Sequence, residues 1–591
     1  MATTLAEFEA KVLLDQTLST NHKSIIIPIE LQEKEDSLPT NRFNKLFKLL
    51  IIYCLVLLVY PVYLGYAIYW HNINSINISW CEGLGFLLVV STLVYTCLCY
   101  SFVLSPLVDH ISFDIRFPGS MEKVIQSNEV RCAVSSIIIL GCIIFLIIDT
   151  QDDRYRLVSA GGILLIILFG FAFSANRKKI VWRHVIWGIF LQIIFGILIM
   201  RWDSGRDFIN CIGSKVDTFL GFTDSGSSFV FGYLVDQKPF LPTKLENGSL
   251  AKLVAEEINN STAVKNIVVF KALSTVYFFS FLTSMLNYWG ILQWFVQKIG
   301  WLLQTTIGTT ACESLSASAN IFLGQATTPF IIKPYLGQLT LSEIHAVMTG
   351  GFATIAGTVL AAYISLGVSS AHLLSASMMS APAALAFAKL FYPEKETSRT
   401  KSDKISIKPP SEVNVLDAAT QGASSAGLLV VNITAIVIAF IAFMSFINSL
   451  FEFFGDQVGI HNLTFDSILG KLFIPLSLSM GVEWNDCEKI AKLIGVKVVL
   501  NEFIAYRELG LLIQNEELSP RSAVIATYAL CGFANPASIG IQLATLNSLA
   551  PQRQADFARV VFRAFISGNA ACFLTACIAG TLYNEFTYVQ L

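Results

Sequence analysis

Long apolar runs recur along the whole chain and are separated by short polar segments. A helix that crosses a bilayer needs about 20 mostly apolar residues, and many of these runs approach that length. The first three runs are uniformly apolar, so we expect them to form a peripheral scaffold. The pattern predicts an all-α polytopic membrane protein with spans near 47–69, 84–108, 132–149, 157–175, 180–201, 264–289, 343–368, 371–392, 424–451, 466–482, 487–506, 521–547 and 558–582.

Two polar, interrupted segments do not fit ordinary spans. The first, at about 308–335, combines Asn320 and Gln325 with the helix breakers Gly324 and Pro329. It is too short for two crossings, so we expect a hairpin that turns near Gly324. The second, at 521–547, repeats an Ala-Asn pair followed by Gly. Transporters place substrate and ion sites at such broken helices, so we predict two facing re-entrant hairpins in an inverted-repeat arrangement.

Composition supports a membrane protein and excludes several functions. The chain is 54% hydrophobic and 14% charged, with a mean hydropathy of +0.62, whereas soluble domains carry about 25% charged residues. A net charge of −2 argues against a nucleic-acid partner. The 12 cysteines show no metal-ligand spacing and are expected to be buried small hydrophobes. The sequence holds no enzyme or ATP-binding motif in a suitable context, so we predict neither an enzyme nor a cofactor.

Loop charges predict the orientation of the chain. Basic residues cluster before the first span, between the second and third, and between the fourth and fifth. Glycosylation sequons at Asn77, Asn247 and Asn260 fall in the alternate loops, so both signals put the N-terminus in the cytoplasm. The first 40 residues are polar, which is not the pattern of a signal peptide. We therefore predict a cytoplasmic disordered tail at 1–44, peripheral helices at 45–150, core parts at 151–392 and 414–591, and a cytoplasmic linker at 393–413.

Several polar side chains within the apolar core are candidates for chemistry. Glu502 is either a carboxylate that accepts the two hydroxyls of a ribose, a structural partner of Lys497, or a helix-end group. Glu313 fits a helix cap or a cavity equally well. The segment from Phe533 to Ser538 offers an aromatic face, an amide and a hydroxyl, although a kinked helix with ordinary packing is the alternative.

Neutral oxygens near the first hairpin suggest a cation site. Asn320, with loosened carbonyls near Leu323, offers oxygens of the kind that Na⁺ prefers. A buried Asn that merely bonds a neighbouring helix is the alternative.

Several motifs follow one another in a fixed order over most of residues 180–583. They include Gly324-Gln325-x-x-x-Pro329, the run from Gly351 to Gly357, Asn501-Glu502-Phe503, the run from Ala526 to Asn535, and the run from Ala571 to Gly580. Each motif alone is weak, but the ordered set is specific. It resembles the concentrative nucleoside transporter family, which couples nucleoside uptake to a Na⁺ or H⁺ gradient.

The resemblance implies a homotrimer at the plasma membrane, with a scaffold domain and a moving transport domain that holds both hairpins. It also implies roles for individual residues. Gly324 and Gln325 would face the nucleobase; Glu502, Asn535 and Ser538 would bind the ribose; Val359 and Phe533 would pack on the nucleoside; and Asn320, the Leu323 carbonyl, Thr354 and the Ile355 carbonyl would hold Na⁺.

The chain departs from the family pattern in the first hairpin. Family members read Gly-Gln-Thr/Ser-Glu-x-Pro, whereas here Ala326 and Thr327 occupy the third and fourth positions. Thr327 therefore replaces a carboxylate that contacts the nucleoside and links it to the cation. We expect Na⁺-coupled nucleoside uptake, with purine or broad selectivity, because Gly324, Thr358 and Val359 resemble the arrangement of family members that accept purines, where small side chains leave room for the larger base. The alternatives are an uncoupled or substrate-shifted carrier and a non-transporting receptor or scaffold.

Overall fold

The computed structural model describes residues 59–74, 79–99, 136, 140–141, 144–236, 270, 273–400 and 412–584. The predicted tail at 1–44, the sequons at Asn77, Asn247 and Asn260, most of the predicted span 132–149 and residues 401–411 of the predicted linker lie outside the described residues. Within these ranges the regular elements are helices. Helices α1 and α2 belong to one compact unit and α3 to α21 to another.

The helices before residue 400 alternate long apolar segments with short interrupted ones. A π-helical turn at Ile197–Arg201 extends α4, and 3₁₀ turns lie at Arg177–Lys179 and Lys333–Gln338. The helices are α1 Tyr60–Ile73, α2 Gly83–Cys99, α3 Arg156–Ala172, α4 Trp182–Gly196, α5 Asp203–Phe231, α6 Tyr233–Asp236, α7 Ser274–Tyr288, α8 Ile291–Ile307, α9 Ala311–Asn320, α10 Thr328–Ile331, α11 Leu341–Ala353, α12 Gly357–Ser365 and α13 Ser370–Phe391.

After residue 412 a single very long helix precedes a second set of interrupted helices. Short 3₁₀ turns lie at Trp484–Asp486 and Pro551–Arg553. The helices are α14 Val415–Gln457, α15 Phe465–Leu472, α16 Ile474–Ser479, α17 Cys487–Val499, α18 Glu502–Gln514, α19 Pro520–Leu530, α20 Pro536–Leu549 and α21 Gln554–Leu582.

The structure refines the predicted spans. In the described ranges, five helical stretches are long and apolar enough to cross a membrane, at Trp182–Arg201, Leu341–Ser365, Ser370–Phe391, Val415–Gln457 and Pro551–Leu582. The predicted segments 343–368, 466–482 and 487–506 each divide into two helices. Helices α5 and α8 were not predicted, because polar residues interrupt their sequences and neither helix forms a long, continuous apolar run.

Helices α13 and α21 form the centre of the larger unit. Both are buried along most of their length, whereas only a few residues of α14 are buried. Small residues let neighbouring helices approach, as is common in membrane proteins. A Cβ added to Gly188 of α4 would lie only 2.7 Å from Ala386 Cβ of α13. The buried centre therefore rests on close contacts between helices, with α14 along its side.

Asparagine caps start two of the helices that follow a break. Asn501 Oδ1 accepts a hydrogen bond from the Ile504 amide (3.0 Å) at the start of α18. Asn535 Oδ1 accepts one from the Ser538 amide (2.9 Å) at the start of α20, where Pro536 has no N–H to satisfy. Each cap gives a hydrogen-bond acceptor to a free backbone amide at a helix start, and so fixes the residue at which the helix begins.

Glu313 caps a helix and neutralises a lysine. Both the amide and the hydroxyl of Thr310 donate to Glu313 Oε2, at 2.9 and 3.0 Å. Its other oxygen forms an ion pair with Lys389 of α13, whose ammonium also donates to Ser342 Oγ at 3.0 Å. Of the two roles that the sequence left open, the structure shows the helix cap.

The cysteines depart in part from the expectation of buried small hydrophobes. Cys81 and Cys211 are disulfide-bonded, which corrects that expectation for these two residues. Cys312, Cys487, Cys531, Cys572 and Cys577 are free and buried, as expected. The described residues contain no group of three or more His, Cys, Asp or Glu side chains that could hold a metal ion.

Replacing Lys389 by methionine is predicted to destabilise the protein by about 3–5 kcal/mol, because Glu313 would be left buried without its partner. The measurement is the melting temperature of the purified protein in detergent. Lys489→Met is the control, since Lys489 pairs with Glu517 at 3.2 Å on the exposed surface and such pairs contribute at most about 1 kcal/mol. Equal melting temperatures for the two variants would contradict the prediction.

Gly324→Ala is predicted to cost at least about 1–2 kcal/mol, because this residue has a φ of +73° and side chains disfavour that region. Its added Cβ would also lie 2.5 Å from Ala356 Cβ. Gly161→Ala in α3 is the control, since an added Cβ there meets no atom of the described structure within 4 Å. Thermal unfolding should separate the two variants, and an unchanged melting temperature for Gly324→Ala would refute the argument.

Candidate functional site

A cavity lies where the interrupted helices of the larger unit meet. Its walls come from the turn between α9 and α10, the start of α12, the α17–α18 break, the start of α20 and one face of α14. The lining residues are Leu323, Gln325, Ala326, Thr327, Ala356, Thr358, Val359, Leu429, Ile433, Ile436, Val437, Asn501, Glu502, Phe503, Phe533, Asn535, Ala537, Ser538 and Ile541.

Glu502 is the acidic side chain of this lining. It is the first residue of α18, so the helix N-terminus favours its negative charge. Asn535 Nδ2 donates to Glu502 Oε2 at 2.6 Å, and the Tyr363 hydroxyl donates to Oε1 at 3.2 Å. Both partners are neutral hydrogen-bond donors from other elements. The site therefore presents a buried carboxylate held by groups that a polar ligand can supplement or replace.

Lys497 does not take the role of ion-pair partner that the sequence left open for it. Its ammonium donates to Asn569 Oδ1 at 2.8 Å and lies 5.4 Å from the centre of the Phe573 ring. Asn569 Nδ2 in turn donates to the Ala534 carbonyl at 3.3 Å, next to Asn535. Lys497 therefore supports the turn between α19 and α20 through Asn569.

The α19–α20 turn places an aromatic ring, an amide and a hydroxyl on the same cavity. Phe533 and Val359 supply apolar surface, and Ser538 lies one turn into α20, near Asn535. The Phe533 amide donates to the Thr354 carbonyl at 3.3 Å, which ties this turn to the end of α11. The structure thus brings together Gln325, Thr327, Val359, Glu502, Phe533, Asn535 and Ser538, all predicted substrate residues.

Gly324, the remaining predicted substrate residue, does not line the cavity. Its Cα faces Ala356, and the neighbouring Gln325 carries the side chain that reaches the lining. The adjacent turn is held by a hydrogen bond of 3.0 Å from the Gly357 amide to the Phe322 carbonyl. The first hairpin and the α11–α12 break are therefore joined directly behind the cavity.

Two of the four predicted cation ligands, Asn320 and Thr354, lie next to Gly350 of α11. A Cβ added there would lie 3.1 Å from Asn320 Nδ2, and the Thr354 hydroxyl donates to the Gly350 carbonyl at 2.9 Å. Asn320 Oδ1 is buried and has no hydrogen-bond partner among the residues that the structure describes. Thr354 and Ile355 are fully buried at the α11–α12 break. The unpartnered Asn320 oxygen is a neutral hard ligand of the kind that a monovalent cation takes.

Thr327 has a local hydrogen bond that the sequence did not predict. Its hydroxyl donates to the Leu323 carbonyl at 2.8 Å, so one proposed Na⁺ ligand already accepts a bond from the residue that replaces the family carboxylate. A carbonyl has two lone pairs, so this bond leaves one free for an ion.

Sequence reasoning missed several residues that line the cavity or contact Glu502. Tyr363 lies in the apolar run of α12, where a hydroxyl gives no periodic signal. The aliphatic wall of α14, made of Leu429, Ile433, Ile436 and Val437, resembles a lipid-facing helix in the sequence. The motif Asn501-Glu502-Phe503 predicted no role for Asn501, although its cap position next to Glu502 follows the ordinary rule for helix starts.

Comparisons with known proteins identify the family. Family models described as "Na+ dependent nucleoside transporter" match the chain in two parts, the N-terminus at residues 161–234 and the C-terminus at 372–580. A third, described as a nucleoside recognition gate, matches residues 269–370.

Curated relatives cover most of this chain. Sodium/nucleoside cotransporter 2 of Rattus norvegicus is 43% identical over 460 residues, which are 75% of this chain and 65% of the rat protein. Solute carrier family 28 member 3 of Homo sapiens is 44% identical over 76% of this chain and 64% of its own length. Sodium/nucleoside cotransporter 1 of Oryctolagus cuniculus is 41% identical over 77% and 67%. The chain thus spans about two thirds of the length of these relatives.

Solved structures share the fold. CNTnw in an inward-facing substrate-bound state has a TM-score of 0.65 and 34% identity, and the match covers 73% of this chain and 98% of CNTnw. A CNTnw variant in an outward-facing state gives the same values. These findings confirm the predicted helical membrane-transporter fold and the resemblance seen in the motifs, and the chain belongs to the Na⁺-dependent, concentrative nucleoside transporter family.

Proposed function

We propose that this protein is a Na⁺-coupled nucleoside symporter that works by alternating access. The observation that carries the proposal is the buried Glu502 carboxylate, held by Tyr363 and Asn535 in a cavity between the two interrupted segments. Membership of the family supports the same function. The relatives that share this fold include transporters solved in inward-facing and outward-facing states.

The ribose of a nucleoside is the group that suits this carboxylate. Its vicinal hydroxyls are two donors at close spacing, which matches a carboxylate that accepts one bond at each oxygen. Asn535 and Ser538 lie beside Glu502 and offer further polar contacts. Phe533 and Val359 supply the apolar surface on which the flat base would pack, and Gln325 offers an amide to its polar edge. A free nucleobase would leave the carboxylate without its donors.

Na⁺ would be held by Asn320, Thr354 and the carbonyls of Leu323 and Ile355. These residues belong to α9, the turn after it and the α11–α12 break, so one ion would join three segments. The same turn continues into Gln325 and Thr327, which line the cavity. Binding of the ion would therefore order the residues that contact the nucleoside. This shared turn provides a physical route for coupling the ion to the substrate.

Thr327 supports a second candidate, an uncoupled or substrate-shifted carrier. The hydroxyl of Thr327 already donates to the Leu323 carbonyl, so the turn has an internal bond that does not require an ion. A threonine also cannot supply the several kcal/mol of cation attraction, in order of magnitude, that a buried carboxylate gives. We place this candidate second, because Asn320 Oδ1 is buried without a hydrogen-bond partner among the described residues, which supports a cation ligand there.

The proposal extends to the assembly and placement of the protein. We propose a homotrimer at the plasma membrane, with a cytoplasmic N-terminus, glycosylation in the external loops and no enzymatic activity. The basic loops and the sequons support the orientation, and the family resemblance supports the trimer. A receptor or scaffold that binds nucleoside without moving it is the alternative from another class, and saturable binding without uptake would establish it.

Uptake of labelled adenosine and uridine is predicted to collapse when choline replaces Na⁺ at fixed pH, in cells that express this chain. Thr327→Glu is predicted to lower the Na⁺ concentration needed for half-maximal uptake, because it adds a negative charge next to the Leu323 carbonyl. Uptake that ignores Na⁺ in the wild type, but depends on it in Thr327→Glu, would instead establish the uncoupled carrier.

Glu502→Gln is predicted to weaken nucleoside uptake about 10- to 100-fold in apparent affinity, since charge-assisted hydrogen bonds to the ribose are worth about 1.5–3 kcal/mol. Glu508→Gln is the matched control, because Glu508 lies on the same helix but does not line the cavity. Its carboxylate pairs with the Lys492 ammonium at 3.3 Å. Competition assays with nucleosides and free nucleobases complete the test. Equal competition by nucleobases in the wild type would show that the ribose is not recognised.

A further inference from the structure

The segment that follows α13 folds back onto the buried bundle as a strap, which we define as residues 394–400. It has no regular secondary structure, and side-chain hydrogen bonds hold it in place. At its start, Glu394 Oε2 accepts a bond from the Thr340 hydroxyl at 2.7 Å and lies 3.7 Å from the Lys389 ammonium. Because Lys389 also pairs with Glu313 in the first turn of α9, the strap contacts the support of the first hairpin.

The other end of the strap closes over a buried carboxylate. Glu343 lies in the first turn of α11, and its Oε1 accepts hydrogen bonds from the hydroxyls of Ser398 and Thr400, both at 2.6 Å. Its Oε2 accepts the Thr340 amide at 2.8 Å as part of the helix cap. Glu343 forms no ion pair with a lysine or arginine that the structure describes. Its charge therefore depends on hydrogen-bond donors, and the strap supplies two of them.

Exposure and charge single out one of these two hydroxyls. Thr400 is only 4% exposed, whereas Ser398 is half-buried between the exposed side chains of Lys395 and Arg399. Basic residues lie three positions before Ser398 and one and three positions after it, at Lys395, Arg399 and Lys401. An enzyme with an acidic binding groove would recognise such a segment by charge complementarity. Ser398 is thus the more accessible of the two hydroxyls that hold Glu343.

We propose that Ser398 is a phosphorylation site and that its phosphate and the closed strap exclude each other. The site rests on the proposed cytoplasmic side of this segment, where ATP and protein kinases are present, and not on transport itself. In the reaction, Ser398 Oγ attacks the γ-phosphorus of ATP, the bond to the leaving ADP breaks, and the hydroxyl proton passes to a carboxylate base of the kinase. The product has lost the hydroxyl that donates to Glu343 and places about −1.5 to −2 charges beside that carboxylate.

The closed and the open strap are the two states of this switch. Like charges at a partly buried position repel each other, so the phosphate favours the open state. Opening would remove Glu394 from Lys389 and both hydroxyls from Glu343. The first turns of α9 and α11 would then lose contacts that fix the first hairpin. In the proposed symport the modification would lower uptake but leave the lining of the cavity intact, since Ser398 does not line it.

The test is the rate at which trypsin cleaves the purified full chain after Arg399, relative to the unfolded chain, because cleavage there requires Thr400 to leave its buried position. Ser398→Glu, which imitates the charge of a phosphate, is expected to raise this rate at least about tenfold, a factor that the loss of one hydrogen bond to a charged group can account for. Thr397→Glu is the matched control, because Thr397 is exposed and the substitution adds the same charge one position away. Ser398→Ala combined with Thr400→Val removes both donors without adding charge, and it is expected to raise the rate as well.

Equal cleavage of Ser398→Glu and Thr397→Glu would overturn the switch. If Ser398→Glu does not fold, the double variant decides, and cleavage at the wild-type rate overturns the proposal. Mass spectrometry of the wild-type chain, purified from expressing cells treated with phosphatase inhibitors, checks the modification itself. Phosphate on Ser398 supports the site, and an unmodified Ser398 overturns it. Neither readout involves uptake, so faster cleavage of Ser398→Glu in a chain that moves no nucleoside would support the strap while refuting the proposed symport.

Discussion

The free backbone amides and carbonyls at the ends of the interrupted helices must find hydrogen-bond partners inside the protein, and the rest of the site depends on this constraint. Hydrocarbon cannot hydrogen-bond the free amides and carbonyls that a broken helix exposes. Asn501 and Asn535 cap α18 and α20, and the Thr354 carbonyl at the end of α11 accepts the Phe533 amide. Each cap fixes the residue at which a helix begins, and this in turn fixes the position of a side chain in the cavity. Glu502, the first residue of α18, is the clearest case.

Glu313 and Glu502 are both buried, but they have different roles because their partners differ. Glu313 meets the ammonium of Lys389, so its charge is neutralised within the protein and its carboxylate caps α9. Glu502 meets only a phenol and an amide in the hydrogen bonds that the structure shows. A pair of opposite charges is costly to separate, whereas neutral donors can exchange with those of a ligand. The first arrangement suits a permanent support and the second suits a site that binds and releases.

Gly and Pro residues made the helix interruptions predictable from the sequence, but the residues that surround the site could not be predicted in this way. A turn lies at Gly324, which has a φ of +73°, and a helix break precedes Pro536, as these breaker residues predicted. Tyr363 could not be predicted, because a tyrosine in an apolar helix gives no sign of the direction of its hydroxyl. The wall that α14 provides was hidden for a similar reason, since lipid-facing and cavity-facing aliphatic residues look alike in a sequence. The close packing of Gln542 against Gly351 could not be predicted either, because the two residues lie far apart in the chain.

The loss of the hairpin carboxylate at Thr327 changes how an ion can influence the substrate. With a carboxylate, one charge could contact both cation and nucleoside. In this protein the ion would act on the nucleoside by changing the geometry of the hairpin turn instead. The Leu323 carbonyl, the Phe322–Gly357 hydrogen bond and the side chain of Gln325 belong to one short turn, so an ion that orders this turn also positions the amide at the cavity. In the proposed symport, coupling of this kind is worth only the difference in ion affinity between the ordered and the disordered turn.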